Sequence, residues 1–170
     1  MSRFKVGESL FMKYLSTLLA LLFGLAASVS AKDEAPSFDL VGKQIPAVKL
    51  HFVKGSVDLT GKPAIVEFWT TFCGPCKAVV PHLNELYAKY KDRGLAVVGV
   101  SLDEDLEDVE KYGPKFGMEY PMAFDEGKKF SGPLKVDISP YAIVVNKAGK
   151  IVWEGVSSAL QQDVLEQILK

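Results

Sequence analysis

Two cysteines stand three positions apart in Cys73-Gly74-Pro75-Cys76, and they are the only two in 170 residues. The chain can therefore form one internal thiol pair. At this spacing the first turn of a helix brings both sulfurs within disulfide range. Pro75 suits an early helical position, where its missing N–H would have no partner anyway. A helix N-terminus offers free N–H groups and the positive end of the helix dipole, both of which favour a thiolate over a thiol. Such sites lower a free thiol pKa of about 8.5 to between about 3.5 and about 7. The thiolate attacks a disulfide, and the second cysteine then resolves the mixed disulfide. Attack falls to Cys73 at the helix mouth and resolution to Cys76, one turn inside.

Two other chemistries use the same spacing. Half of a zinc site is one, but it needs two further ligands, and the chain's only histidines, His51 and His82, form no second knuckle. A purely structural disulfide is the other; so short a bridge closes a small loop and adds little stabilisation through chain entropy. Redox exchange fits best, with no metal.

The elements around the motif follow from pattern. Ala64 to Trp69 is apolar at nearly every position, as a strand covered on both faces requires. Its exception is Glu67, which lies either at a strand edge facing water or buried beside the thiols. If buried, its pKa rises and it can relay protons to and from Cys76. After Pro75, the stripe Val79, Val80, Leu83, Leu86, Tyr87 and Tyr90 has helical spacing, with a kink expected at Pro81 and a stop at Arg93-Gly94. Leu95 to Leu102 reads as a second buried strand, so strand, helix and strand make a right-handed parallel crossover.

Elsewhere the signals are shorter. Val48–Phe52 and Val57–Leu59 flank Lys54-Gly55-Ser56 as a small N-terminal hairpin, with His51 on its polar side. Asp103 to Glu110 is the capped and solvated start of a helix with Leu106, Val109, Tyr112 and Phe116 inward. Tyr120–Phe124 reads as an edge strand because of Pro121. Tyr141–Val145 and Ile151–Glu154 form a hairpin, and Ser157-Ser158 cap a last helix carrying Leu160, Val164, Leu165 and Ile168.

The chain begins with Arg3, Lys5 and Lys13, an apolar run from Leu15 to Ala27, and Ser28-Val29-Ser30-Ala31 before Lys32-Asp33-Glu34. This order describes a secretory signal over residues 1–31, cleaved or kept as an anchor that tethers the chain to a membrane. Residues 32–170 then form one domain with 17 basic against 20 acidic side chains, and nothing in that balance suggests a nucleic-acid partner. Export places the thiols in an oxidising compartment such as the periplasm, where a lone pair becomes a disulfide unless something reduces it.

Phe68-Trp69-x-x-Phe72-Cys73-Gly74-Pro75-Cys76-Lys77, then Pro81, Ser139-Pro140 and Asn146-Lys147-Ala148-Gly149-Lys150, together resemble the exported thioredoxin-fold proteins of the TlpA/ResA type. The likeness runs from about residue 40 to the end. It implies an α/β fold: a thioredoxin-like central mixed β-sheet flanked by helices, here with the added N-terminal hairpin. It implies that Glu67 is the buried acid, that Trp69 shields the site, and that Ser139 and a cis Pro140 face the disulfide and receive a substrate strand, with Gly74 and Pro75 supporting it. It implies no cofactor beyond the Cys73–Cys76 disulfide, exported protein disulfides as substrates, a membrane thiol as electron donor, and a link to cytochrome c maturation. This chain departs from the family at Val79, where an acid is common, at Gly99, where thioredoxins keep a lysine, and at Tyr141, where threonine follows the proline.

Gly-Pro between the cysteines resembles the reducing members, since strongly oxidising ones carry a histidine there that stabilises the reduced form. A disulfide oxidase or isomerase is the alternative within the class. A copper-site assembly factor would want three residues between the cysteines and a distal histidine. A peroxidase would want a supporting arginine, for which the chain has only Arg3 and Arg93.

Overall fold

The two apolar runs that bracket the cysteine motif become the centre of a six-stranded sheet. In a computed structural model that describes residues 37–170, the strands are β1 (His51–Lys54), β2 (Ala64–Trp69), β3 (Ala96–Ser101), β4 (Met122–Phe124), β5 (Tyr141–Val145) and β6 (Ile151–Gly155), in the spatial order β1-β4-β3-β2-β5-β6. The signal-like segment 1–31 lies outside the described residues. β2 and β3 run parallel, joined through helix α1 (Gly74–Tyr90), and are buried at every position. β5 lies antiparallel on the other side of β2, and β6 follows it as the expected hairpin.

Alternation along β2 sorts its side chains between two cores. Ile65 and Trp69 join the first, with Val79, Val80, Leu83, Leu86 and Tyr90 of α1, Val109 of α2 (Leu106–Tyr112) and Leu165 of α4 (Gln162–Ile168). Val66 and Phe68 join the second, with Phe130, Leu134 of α3 (Ser131–Leu134), Tyr141 and Leu40. The stripe read from the sequence is thus the face α1 buries. α1 continues through Pro81 as one helix to Tyr90, and a 3-10 turn over Lys91–Arg93 closes at Gly94, whose φ of 91° only glycine adopts without strain.

Four local expectations need correction. There is no N-terminal hairpin: residues 57–59 are not a strand, and β1 pairs instead with β4, His51 opposite Phe124. Val57 and Leu59 are instead partly buried against the second core. β4 is not an edge strand but lies between β1 and β3. Pro121 sits just before it, so no ladder donor is lost, and its carbonyl accepts from Gly99 N–H at 3.0 Å. The helix after Asp105 stops at Tyr112, where Gly113-Pro114 opens a 3-10 turn. Ser157 and Ser158 cap no helix; they start a 3-10 turn, and α4 begins five residues later.

Residues 40–45 run along β6, with Gly42 N–H on Ile151 O (2.8 Å), Ile151 N–H on Lys43 O (2.8 Å) and Ile45 N–H on Gly149 O (3.0 Å). Ahead of them, Glu154 gathers Ser37, Phe38 and Leu40 onto the sheet. Among the described residues no helix is long and apolar enough to cross a membrane.

The seat of α1 governs where the sulfurs stand, and Leu83 is fully buried at its centre. Leu83→Ala should cost about 2–5 kcal/mol in denaturant unfolding through transfer and cavity effects.

Candidate active site

Cys73 is where β2, its loop and α1 meet. It is the N-cap of α1, in extended backbone (φ −83°, ψ 96°), and its Sγ accepts the Cys76 N–H at 3.0 Å. That N–H is one of the first-turn donors with no helical partner, and such a donor would favour a thiolate at this sulfur. The two sulfurs are joined in a disulfide. Their surroundings differ: Cys73 is half-buried, whereas Cys76 is 1 % exposed and packed in the first core. Gly74 and Pro75 are exposed between them, so the polypeptide rim of the disulfide is open to a partner.

The loop before Cys73 is held from β3. Asp103 accepts the Thr71 N–H (3.0 Å), the Thr71 hydroxyl (2.7 Å) and the Ser101 hydroxyl (2.5 Å), while Leu102 N–H bonds Trp69 O (2.9 Å). Asp103 is therefore a loop fastener, not only part of an acidic helix start. Phe72, next to Cys73, is 81 % exposed.

Glu67 is buried, 2 % exposed, which decides between the two positions left open by the sequence. It shares a sheet face with Ile65 and Trp69 by alternation, the face covered by the Cys76 helix. Among the described residues its side-chain hydrogen bond comes from the Ser157 hydroxyl. Burial pushes its carboxyl up to about 8, with the Ser157 bond acting in the opposite direction. Tyr120 lines the same core; burial, then the Glu67 charge, raises its phenol. A carboxyl poised near neutrality on the sheet face that the Cys76 helix covers has the protonation range a proton relay would need. Ser157 could not be found from sequence, since it lies 90 residues from Glu67 and reads locally as a cap.

Gly99 pairs in register with Glu67. A Cβ there would meet Met118 Sδ at 3.1 Å and Trp69 Nε1 at 3.2 Å, so the indole occupies the space a side chain at this position would need. Trp69 is fully buried and packs against Phe116, with ring centroids 4.8 Å apart and planes inclined by 55°. The Ser139–Pro140 peptide is cis. Tyr141 pairs with Phe68, which sets Pro140 at the C-terminal end of β2, the end from which the cysteine loop departs.

The residues for other chemistries lie elsewhere. His51 is exposed on edge strand β1, and His82 Nε2 rests on Leu160 O at 3.0 Å. Arg93 pairs with Glu166 at 2.8 Å, beyond the far end of α1, a helix of 17 residues and about 25 Å.

Comparison with known proteins agrees with this geometry. The AhpC/TSA family pattern matches residues 31–154. The thiol-disulfide oxidoreductase ResA of Bacillus thuringiensis (strain Al Hakam) is 35 % identical over 140 residues, covering 81 % of this chain and 75 % of that protein. The protein of the same name from Oceanobacillus iheyensis is 34 % identical over 137 residues, covering 81 % and 70 %. Among solved structures, the thioredoxin domain of a thiol-disulfide oxidoreductase from Bacteroides vulgatus superposes with a TM-score of 0.64 at 28 % identity, over 76 % of this chain and 98 % of that one.

The Glu67 environment makes a thermodynamic prediction. A carboxyl near 4.5 when unfolded and about 8 when folded binds more protons in the native state between those values. Stability should therefore fall as pH rises through that window. Glu67→Gln should flatten this loss when unfolding of the oxidised protein is measured at about pH 5 and about pH 8.

Proposed function

For a chain that belongs to the AhpC/TSA family and is a thioredoxin-fold thiol-disulfide oxidoreductase, we propose the direction of a reductase: it reduces disulfides in exported proteins and is itself re-reduced by a membrane thiol donor. The observation that carries this reading is the asymmetry of the pair, one half-buried sulfur facing a helix N-terminal N–H and one sulfur sealed in the core. In the cycle, the Cys73 thiolate attacks a substrate disulfide and forms a mixed disulfide, releasing one substrate thiolate. The Cys76 thiol gives its proton toward Glu67 and attacks the Cys73 sulfur. That step releases the second substrate thiol and leaves the Cys73–Cys76 disulfide. Two electrons pass to the substrate, and the donor dithiol restores them. The chain's own disulfide is the redox group, and the step needs no further cofactor.

Three features support the reducing direction and the exported setting. Gly74-Pro75 supplies no histidine to stabilise a Cys73 thiolate, so the reduced form gains little and the potential stays low. Ser139 and Pro140, at the same sheet end as the motif, offer an extended substrate chain its landing place, with Trp69 closing the site from behind. The basic, apolar, small-residue order of residues 1–31 supports export, and a signal kept uncleaved would be the membrane tether. Apocytochrome disulfides are the substrate suggested by the resemblance to the ResA type.

Cys73→Ser should abolish reduction of insulin disulfides, while Cys76→Ser should accumulate mixed disulfides visible on non-reducing gels; accumulation in Cys73→Ser instead would reverse the assignment. Glu67→Gln should slow turnover most above about pH 8, where the native carboxylate can accept the Cys76 proton; an unchanged pH–rate profile would remove Glu67 from the relay.

A further inference from the structure

Tyr141 follows Pro140 directly and opens β5. Its side chain is buried, with the ring edge-on to Phe38 at 5.1 Å between centroids, and its hydroxyl donates to Glu154 Oε2 at 2.7 Å. The same carboxylate accepts the Leu40 N–H at 2.8 Å, the Phe38 N–H at 3.2 Å and the Ser37 hydroxyl at 3.2 Å. One half-buried acid on β6 thus ties the residue after Pro140 to residues 37–40.

Packing alone does not account for this arrangement. Phenylalanine would fill the ring's space without burying a hydroxyl, which costs free energy unless paired. A hydroxyl donating to an ionised acceptor is a strong, directional bond. It fixes the first residue of β5, and with it the end of the loop that carries Ser139 and Pro140. The cysteine loop has its own fastener, Asp103 accepting from the Thr71 N–H and hydroxyl.

We propose that Tyr141 and Glu154 are positioning residues for the Ser139–Pro140 loop, with residues 37–40 as the strap that locks them, and that they set how well an extended polypeptide disulfide docks without altering the chemistry at sulfur. This rests on the reading that the loop receives the substrate chain.

The test compares insulin with glutathione disulfide as substrates of the reduced full chain. Tyr141→Phe, which keeps the ring, should raise KM for insulin about 3- to 10-fold, the worth of one hydrogen bond. The kcat, the rate with glutathione disulfide and the redox potential should stay as in the parent. Glu154→Gln should act in the same direction, and the double variant should be far from additive because the two work as a unit. Equal losses on both substrates, or no change on either, would overturn the proposal. Pro140→Ala separates the two layers. If it leaves KM for insulin unchanged, the loop is not the docking site and the underlying reading fails. If it raises KM while Tyr141→Phe does not, the strap alone is refuted.

Discussion

The structure depends on where α1 begins. A helix that starts at Gly74 turns its first free N–H groups toward Cys73, and the Cys76 N–H lies 3.0 Å from that sulfur. Two separate anchors hold the start in place. Below it, Val79, Val80, Leu83, Leu86 and Tyr90 bury one helix face against Ile65, Val97 and Val144, each large apolar side chain contributing about 1.5–3 kcal/mol. Above it, Asp103 fastens Thr71 two residues before the cysteine. The sulfur is fixed from both ends, which is what an attacking group needs before any substrate arrives.

The same placement puts two identical side chains in different media. Cys73 meets solvent and helix donors, while Cys76 lies in an apolar core on the sheet face that also buries Glu67, whose carboxyl is raised. Trp69 and Met118 fill the space beside Gly99, so the acid keeps company with an indole, a thioether, a phenol and a hydroxyl rather than with a lysine. Burial is costly for the charged form, and it is what brings a carboxyl to the range where it exchanges protons near neutrality.

What could be read from the chain was what is local. The motif, the helical stripe after it, the doubly buried runs of β2 and β3 and the hairpin around Asn146–Lys150 are patterns complete within a few residues, and all stand in the structure. Non-local choices escaped. β1 takes a distant partner, with His51 opposite Phe124, rather than the nearer segment 57–59. Ser157 reads as a cap and serves Glu67 instead. Pro121 suggests a sheet edge, but it stands one residue before β4, where its missing N–H matters to no ladder. Asp103 and Glu154 look like ordinary surface acids until the loops they fasten come beside them. Local periodicity carries the elements; the site's supporting contacts arise only when distant segments meet.

The proposed reductase role requires a Cys73–Cys76 pair that cycles between dithiol and disulfide and favours giving electrons away. Equilibrating the full chain with glutathione buffers and quantifying the reduced fraction measures this directly. A two-electron potential near about −270 mV is the predicted result, and one near about −120 mV, or a pair that never equilibrates, would contradict it.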